Sequence, residues 1–295
     1  MKRASFALRL PFFILALLLA LALCMSVSCA PRMQGTPQGV PEPSVDESAG
    51  QAPEDQTEVI WKRFAQQVAT AEVMSGPFRA SGTLRYVAPD EKTNRVSFLL
   101  WGNNKSDSPW PLRLDLSAGI GQVVAKVRET STNFTAYMPD ENTAYIHEGG
   151  SRTLASFGVP IPLSLSDLAL IVTGRGGLLF LPSPVSADAP VPATRTQNGQ
   201  EATYILEANL LPGELTLSEQ GTPLVWKDLT PDGWHIDFES APERPLFPTK
   251  LRIKHGKGWS ALITIKDIAR VSPPYSAAKL DFALPPNVEK RPLEQ

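Results

Sequence analysis

The stretch from Leu112 to Arg128 constrains this chain most. Leu112, Leu114 and Leu116 alternate with Arg113, Asp115 and Ser117, and beyond Ala118-Gly119-Ile120-Gly121 the residues Val123, Ala125 and Val127 alternate with Val124, Lys126 and Arg128. A period of two sends alternate side chains to opposite faces, which predicts a β-hairpin with one buried face. Gly119 and Gly121 give the turn its backbone freedom. Ile120 therefore occupies a place where a polar residue is the norm, and its own hairpin cannot bury it. Either it tucks against a neighbouring loop or it touches something outside the protein.

The sequence around the hairpin extends the same pattern. Phe78, Ala80, Gly82, Leu84 and Tyr86 alternate with polar residues, as do Val96, Phe98 and Leu100; Phe134, Ala136 and Met138 lead through Pro139-Asp140-Glu141-Asn142 into Ala144 and Ile146. Strands joined by short turns predict an antiparallel meander, and one this long curls and encloses an apolar concave face. Before it, Trp61, Phe64, Ala65, Val68 and Ala71 recur at helical spacing, predicting an amphipathic helix from Thr57 that stops near Ser75-Gly76-Pro77. After it, Ser151 to Gly158 and Ser164 to Gly174 read as two short helices, with Ser164 or Ser166 as N-cap, separated by the rigid Gly158-Val159-Pro160-Ile161-Pro162-Leu163. Gly176 to Gln200 reads as a surface excursion. Strands resume at Ala202–Leu206, Glu214–Leu217, Leu224–Lys227 and Trp234–Phe238, followed by a hairpin of Lys250–Lys254 with Trp259–Ile268 and a short strand at Lys279–Leu284. The expected class is mainly β (α+β), a curled antiparallel sheet forming a half-open barrel capped by short helices.

The first residues set the compartment. Lys2, Arg3 and Arg9 precede an uncharged run from Leu10 to Met25, the layout of a secretory signal; a retained membrane anchor is the rival reading. Met25-Ser26-Val27-Ser28-Cys29 favours cleavage, because it resembles a bacterial lipobox, in which the cysteine is acylated and becomes the first mature residue. The chain's two cysteines are Cys24 and Cys29, so cleavage leaves no thiol for a disulfide, a nucleophile or a metal. Ala30 after the cysteine resembles lipoproteins sorted to the outer membrane, periplasmic face. Of the 28 basic side chains three leave with the signal, and the remaining 25 against 30 acidic ones give a net charge of −5. Nothing in that balance suggests a nucleic-acid partner. Ala30 to Thr57 is rich in Pro, Gly, Gln, Ser and acid and reads as a tether. The organisation expected is a signal peptide at 1–28, a lipidated tether at 29–56, a half-barrel domain at 57–284 with an insertion at about 176–227, and a tail at 285–295.

Three segments carry a resemblance to the LolB family of outer-membrane lipoproteins: Ala118-Gly119-Ile120-Gly121 at a hairpin tip, Gly158-Val159-Pro160-Ile161-Pro162-Leu163 before a short helix ending in Gly174, and Asp232-Gly233-Trp234 leading into a late strand. The resemblance spans about Thr57 to Ile268. It implies a cavity for the acyl chains of client lipoproteins, which a periplasmic LolA-like carrier hands over, and a hairpin-tip residue, here Ile120 between Gly119 and Gly121, that passes the client into the membrane. Leu84, Phe98, Leu100, Leu114, Phe134, Met138 and Ile236 are the candidate cavity residues, and Cys29 the lipid attachment. Gly176 to Lys227 is longer than the family pattern. A lipoprotein of the same fold that binds another hydrophobic ligand, or serves as an assembly partner, is the alternative.

Enzymatic signatures are missing. His147, His235 and His255 lie in polar surroundings without metal-ligand spacing, so neither a metal nor a cofactor is expected. No Gly-x-Ser-x-Gly elbow occurs. Gly174-Arg175-Gly176-Gly177 lacks the Lys-Ser/Thr of a phosphate loop and reads as a helix stop. Asp237 and Glu239 read as solvated, and Lys250, Arg252 and Lys254 as a basic row on an outer face.

Overall fold

The computed structural model describes residues 55–70, 74, 76–87, 92–104, 111–182, 186–198, 200–207 and 209–293. The expected signal peptide, Cys29 and nearly all of the tether lie outside these residues. Those described all belong to one compact unit, Gln51–Gln295.

Alternation builds two meanders. The first comprises β1 (Gly76–Val87), β2 (Thr93–Asn104), β3 (Leu112–Ala118), β4 (Gln122–Glu129), β5 (Asn133–Met138) and β6 (Thr143–Glu148); the second comprises β7 (Thr194–Asn198), β8 (Glu201–Leu206), β9 (Gly213–Ser218), β10 (Pro223–Lys227), β11 (Trp234–Ser240), β12 (Pro248–His255) and β13 (Ser260–Arg270). β1 pairs antiparallel with β13, from Phe78↔Arg270 to Val87↔Ser260, and so fuses both meanders into one sheet. The outermost strands are β7 and, at the other edge, β14 (Glu289–Pro292), which lies parallel to β6. These edges do not pair with each other among the described residues, so the sheet curls without closing, the half-open barrel expected. Leu112, Leu114 and Leu116 face inward from β3 and Ala125 and Val127 from β4, so the hairpin keeps the predicted faces.

Gly82 helps the sheet curl. It lies at an irregularity in the β1–β13 register, and a Cβ there would stand 2.0 Å from the Thr264 carbonyl oxygen and 2.6 Å from the Phe98 ring. A residue with no side chain lets strand and ring approach that closely.

Two helices fill the concave face. α1 (Gln56–Thr70) buries Ile60, Trp61, Phe64, Ala65 and Val68, with the Trp61 ring 5.0 Å from Tyr204 and 5.4 Å from Phe64. Tyr204 Oη donates to the Thr57 carbonyl at 2.6 Å, and Trp61 Nε1 to that of Ala189 at 3.3 Å. Burial and the negative charge of Asp55 raise the Tyr204 hydroxyl far above its ordinary value, so it stays a donor. α2 (Leu165–Val172) starts with a capping box: Ser164 Oγ accepts from Asp167 N at 3.1 Å, and the Asp167 carboxylate accepts from Ser164 N at 2.9 Å. This selects Ser164 over Ser166 as the cap.

α1 is described as far as Thr70, Ala71 lies outside the described residues, and Gly76 and Pro77, expected as the helix stop, belong to β1. Three local expectations need correction. Ser151 to Gly158 holds only a 3-10 turn, Leu154–Phe157, because Thr153 is drawn into a bridge with Ser164 and Gly158 adopts a left-handed conformation. Gly176 to Gln200 is no pure surface excursion: a 3-10 turn, Gly176–Leu179, delivers Leu179, Phe180 and Leu181 into the core, and Phe180 meets Phe238 edge-on at 6.2 Å. The Pro-rich residues downstream mask that apolar run in the sequence. Lys279 to Leu284 forms no strand; the chain turns through α3 (Ala277–Leu280), capped by Ser276, and the last strand is β14. Because β14 is exposed on both faces, its sequence shows no apolar alternation.

The segment after β13 is strapped across the outer surface. Arg113 stacks on Trp101 and Phe282 at 4.9 and 5.5 Å and donates to the carbonyls of Asp281 and Lys279 at 2.9 and 3.2 Å. Such a planar cation binds aromatic faces and carbonyls together.

Candidate functional site

Strand registers decide which turns share a rim. The β1–β2, β3–β4, β5–β6, β8–β9, β10–β11 and β12–β13 connections all lie at one rim, since Val87↔Ser260 and Val87↔Thr93 place the ends of β1 and the starts of β2 and β13 there. We call this the hairpin rim, because Ile120 is at its β3–β4 turn. Ile120 is exposed to 107% of its reference area, between Gly119 at φ +53° and Gly121 at φ +80°. A Cβ on either glycine would meet nothing within 4 Å, so their backbone dihedrals alone call for glycine.

An apolar cleft lies in the half of the barrel nearest this rim. Leu84, Phe98, Leu114, Leu116 and Ile263 form its sheet wall, and Leu154, Phe157, Val159, Ile161 and Leu168 its cover. Leu84 pairs with Ile263 and Phe98 with Leu116 across neighbouring strands. The cavity volume is about 10 Å³, at the ~10–15 Å³ that one water needs. In this state the walls are in contact.

Of the candidate cavity residues, Leu84, Phe98 and Leu114 line the cleft. Leu100 is fully buried at the register of Ala80 and Leu114. Phe134, also fully buried, meets the cover's Phe157 at a tilt, with ring centres 5.8 Å apart. Met138 is half-buried at the end of β5, and Ile236 is buried between Trp226 and Ile253 in the second meander, away from the cleft lining. Sequence reasoning missed the cover. Val159 and Ile161 come from the Gly-x-Pro-Ile-Pro-Leu segment that carried the family resemblance, so a signal for them existed.

The cover is tied to the sheet by one carboxylate. Glu129, at the end of β4, is only 3% exposed. It accepts from Leu165 N at 2.9 Å, Ser166 N at 3.2 Å, Ser166 Oγ at 2.5 Å and Ser151 Oγ at 2.7 Å. A carboxylate at the start of α2 also meets the positive end of the helix dipole. Burial pushes its pKa above the ordinary carboxyl value, against the pull of the bonds from Ser166, Ser151 and Leu165. Within the cover, Leu154 N donates to Leu163 O at 2.9 Å and Ala155 N to Ile161 O at 3.0 Å, which makes it one piece.

Other concavities are of a different kind. A groove of about 610 Å³ at the opposite rim is lined by Gln67, Thr70, Glu243, Arg244, Phe247 and Arg270 among others, and is open and half polar. It is larger than the cleft, but its charged walls do not suit a hydrocarbon chain. On the outer face, His235 Nε2 and Asp237 Oδ1 are 2.6 Å apart. The basic row is not bare: Lys250 and Arg252 reach Glu239 at 2.5 and 3.2 Å, and the bond from Lys250 leads in holding that carboxyl below its ordinary value. Among the described residues no cluster of three His, Cys, Asp or Glu side chains could hold a metal ion, and no helix is long and apolar enough to cross a membrane.

With this geometry in view, the chain can be compared with known proteins. No protein family and no characterised protein matches it in sequence. Several solved structures resemble it in fold. One is a LolA superfamily protein from Nitrosomonas europaea, 12% identical over 74% of this chain and 94% of that one, with a TM-score of 0.47. A DUF1329 family protein from Desulfovibrio piger is 11% identical over 77% and 98%, with a TM-score of 0.44. A putative outer membrane lipoprotein-sorting protein domain from Vibrio parahaemolyticus is 9% identical over 76% and 97%, with a TM-score of 0.40.

Proposed function

We propose that this protein is a lipid-anchored receptor of the outer membrane that takes the acyl chains of client lipoproteins from a periplasmic LolA-like carrier and passes them into the bilayer. The observation that carries this reading is positional: the dry cleft lies beneath the same rim that presents Ile120. A hydrocarbon chain gains about 0.8 kcal/mol for each methylene it buries, provided the walls are apolar. Every residue lining the cleft is apolar.

Since the cleft is closed, occupation requires the cover to move. The cover is suited to that, because its hydrogen bonds are largely internal and Glu129 is its main polar tie to the sheet. The acyl chains then replace cover-to-sheet contacts with contacts of the same apolar kind. Cys29, acylated, holds the protein at the membrane, and more than one acyl chain makes that anchorage stable.

The test is competition for an apolar dye on the chain from Ala30 onward. A triacylated lipopeptide is expected to displace the dye, while the same peptide without acyl chains leaves it bound. Equal displacement by both would show that the peptide and not its acyl chains is bound, and displacement by neither that the concave face is filled by its own side chains; either result overturns the reading.

A further inference from the structure

Ile120 is not alone on its rim. Among the described residues four large aliphatic side chains stand exposed: Ile120 at 107%, Leu210 at 74%, Leu229 at 54% and Val191 at 38%. Leu210 is in the β8–β9 turn and Leu229 in the β10–β11 turn, both at the hairpin rim. Val191 precedes β7, whose first residue Thr194 pairs with Tyr204, and Ile205 N donates to Ala193 O at 2.8 Å, so Val191 also lies at that rim. The turns of the opposite rim carry none of the four. Two of them, Val191 and Leu210, come from the stretch Gly176 to Lys227, expected from the sequence to be longer than the pattern of the resembling family, and Leu229 follows just after it.

We propose that the whole rim, and not the hairpin alone, is a lipid-docking surface on which Val191, Leu210 and Leu229 enter the membrane interface beside Ile120. The inference rests on the membrane setting of the proposed function and adds the second half of the sheet to it. Spacing favours a bilayer over a protein. From the β3–β4 turn to the β10–β11 and β8–β9 turns is six to eight strand positions, roughly 30–40 Å along the sheet. A protein partner needs a contiguous patch of roughly 800 Å² on each side, whereas separate apolar points on a curved rim suit a fluid apolar phase. Trp234 and Trp259, both partly buried, flank Lys257 on the same rim, the residue types that settle at headgroup level.

The chain leading back to Cys29 starts from the same side. Thr57 is bonded to Tyr204 near the hairpin-rim end of β8, while Arg63, further along α1, bonds the Glu219 carbonyl at the opposite rim. Between Cys29 and Asp55 the chain can extend at most about 90 Å, which lets the rim reach a surface to which Cys29 is tied. Charge does not drive the docking: Asp140, Glu141, Glu207, Asp228 and Asp232 share these turns. Anionic vesicles are therefore expected to be engaged no more tightly than neutral ones.

The experiment uses the full-length acylated protein in phosphatidylcholine vesicles, with an environment-sensitive dye on a cysteine replacing Ile120, Val191, Leu210, Leu229 or, at the opposite rim, Gln220. Spin-labelled lipid is expected to quench the first four dyes several-fold more than the dye at Gln220. Quenching at Ile120 alone would reduce the contact to the hairpin and overturn the proposal. Shielding of the four positions only when another protein is added would overturn it too, in favour of a protein interface. Lipopeptide competition on the same labelled proteins separates the two ideas: a cleft that binds acyl chains while only the dye at Ile120 is quenched refutes docking of the whole rim and leaves the proposed function standing.

Discussion

Replacing Glu129 with alanine is expected to lower the unfolding free energy by roughly 2–4 kcal/mol, because a buried and a half-buried backbone donor at the start of α2 lose their acceptor. Amides of Leu154 to Leu168 should then exchange with solvent faster than those of β1 or β13. Glutamine retains one carbonyl oxygen but turns an NH₂ group toward the remaining donors, so Glu129→Gln should lie between wild type and alanine. Denaturant unfolding and hydrogen exchange measure both effects. Acidity separates the charge from the bonds. Burial raises the folded-state pKa of Glu129, so the folded protein holds this proton more tightly than the unfolded chain. Its contribution is fully present below the ordinary carboxyl value and is lost as pH rises through the elevated folded one. Wild type should therefore lose part of its stability over that window, and Glu129→Gln should not show this part of the slope. An identical slope in both proteins would mean that Glu129 is not the group responsible.

The second large effect concerns delivery. Ile120→Glu should leave stability within about 0.5 kcal/mol of wild type, as for any exposed site, and should leave lipopeptide binding intact, because Ile120 lines no part of the cleft. Transfer of bound lipopeptide to vesicles should nevertheless fall at least tenfold or so, since a carboxylate resists entering the bilayer that an isoleucine enters readily. Loss of lipopeptide affinity in step with transfer would show instead that the hairpin supports the cleft.

The hairpin, with its sides and its exposed tip, could be read directly from the sequence because alternation and paired glycines are local signals. Leu84, Phe98 and Leu114 were legible as inward-facing for the same reason. What local periodicity cannot say is which inward residues meet, because that depends on strand order. Ile236 alternates as cleanly as Leu114 yet packs between Trp226 and Ile253, in a part of the sheet joined to the hairpin through β2, β1, β13 and β12. The cover escaped for another reason. Leu154, Val159 and Ile161 sit in irregular backbone held by non-repeating hydrogen bonds, where neither period applies. Glu129 stands in the sequence just past an alternating stretch, with no local sign of burial, and the docking of α2 makes it a buried anchor. The shared rim of Ile120, Leu210 and Leu229 likewise emerges only once each strand has a direction.

The central claim is that acyl chains enter between sheet and cover, and methyl resonances recorded during titration with the triacylated lipopeptide test it most directly. Shifts should concentrate on Leu84, Leu116, Leu154, Val159, Ile161 and Ile263, with the unacylated peptide silent. Shifts gathered instead at Met74, Leu246 and Ile268, around the open groove of the opposite rim, would contradict the account.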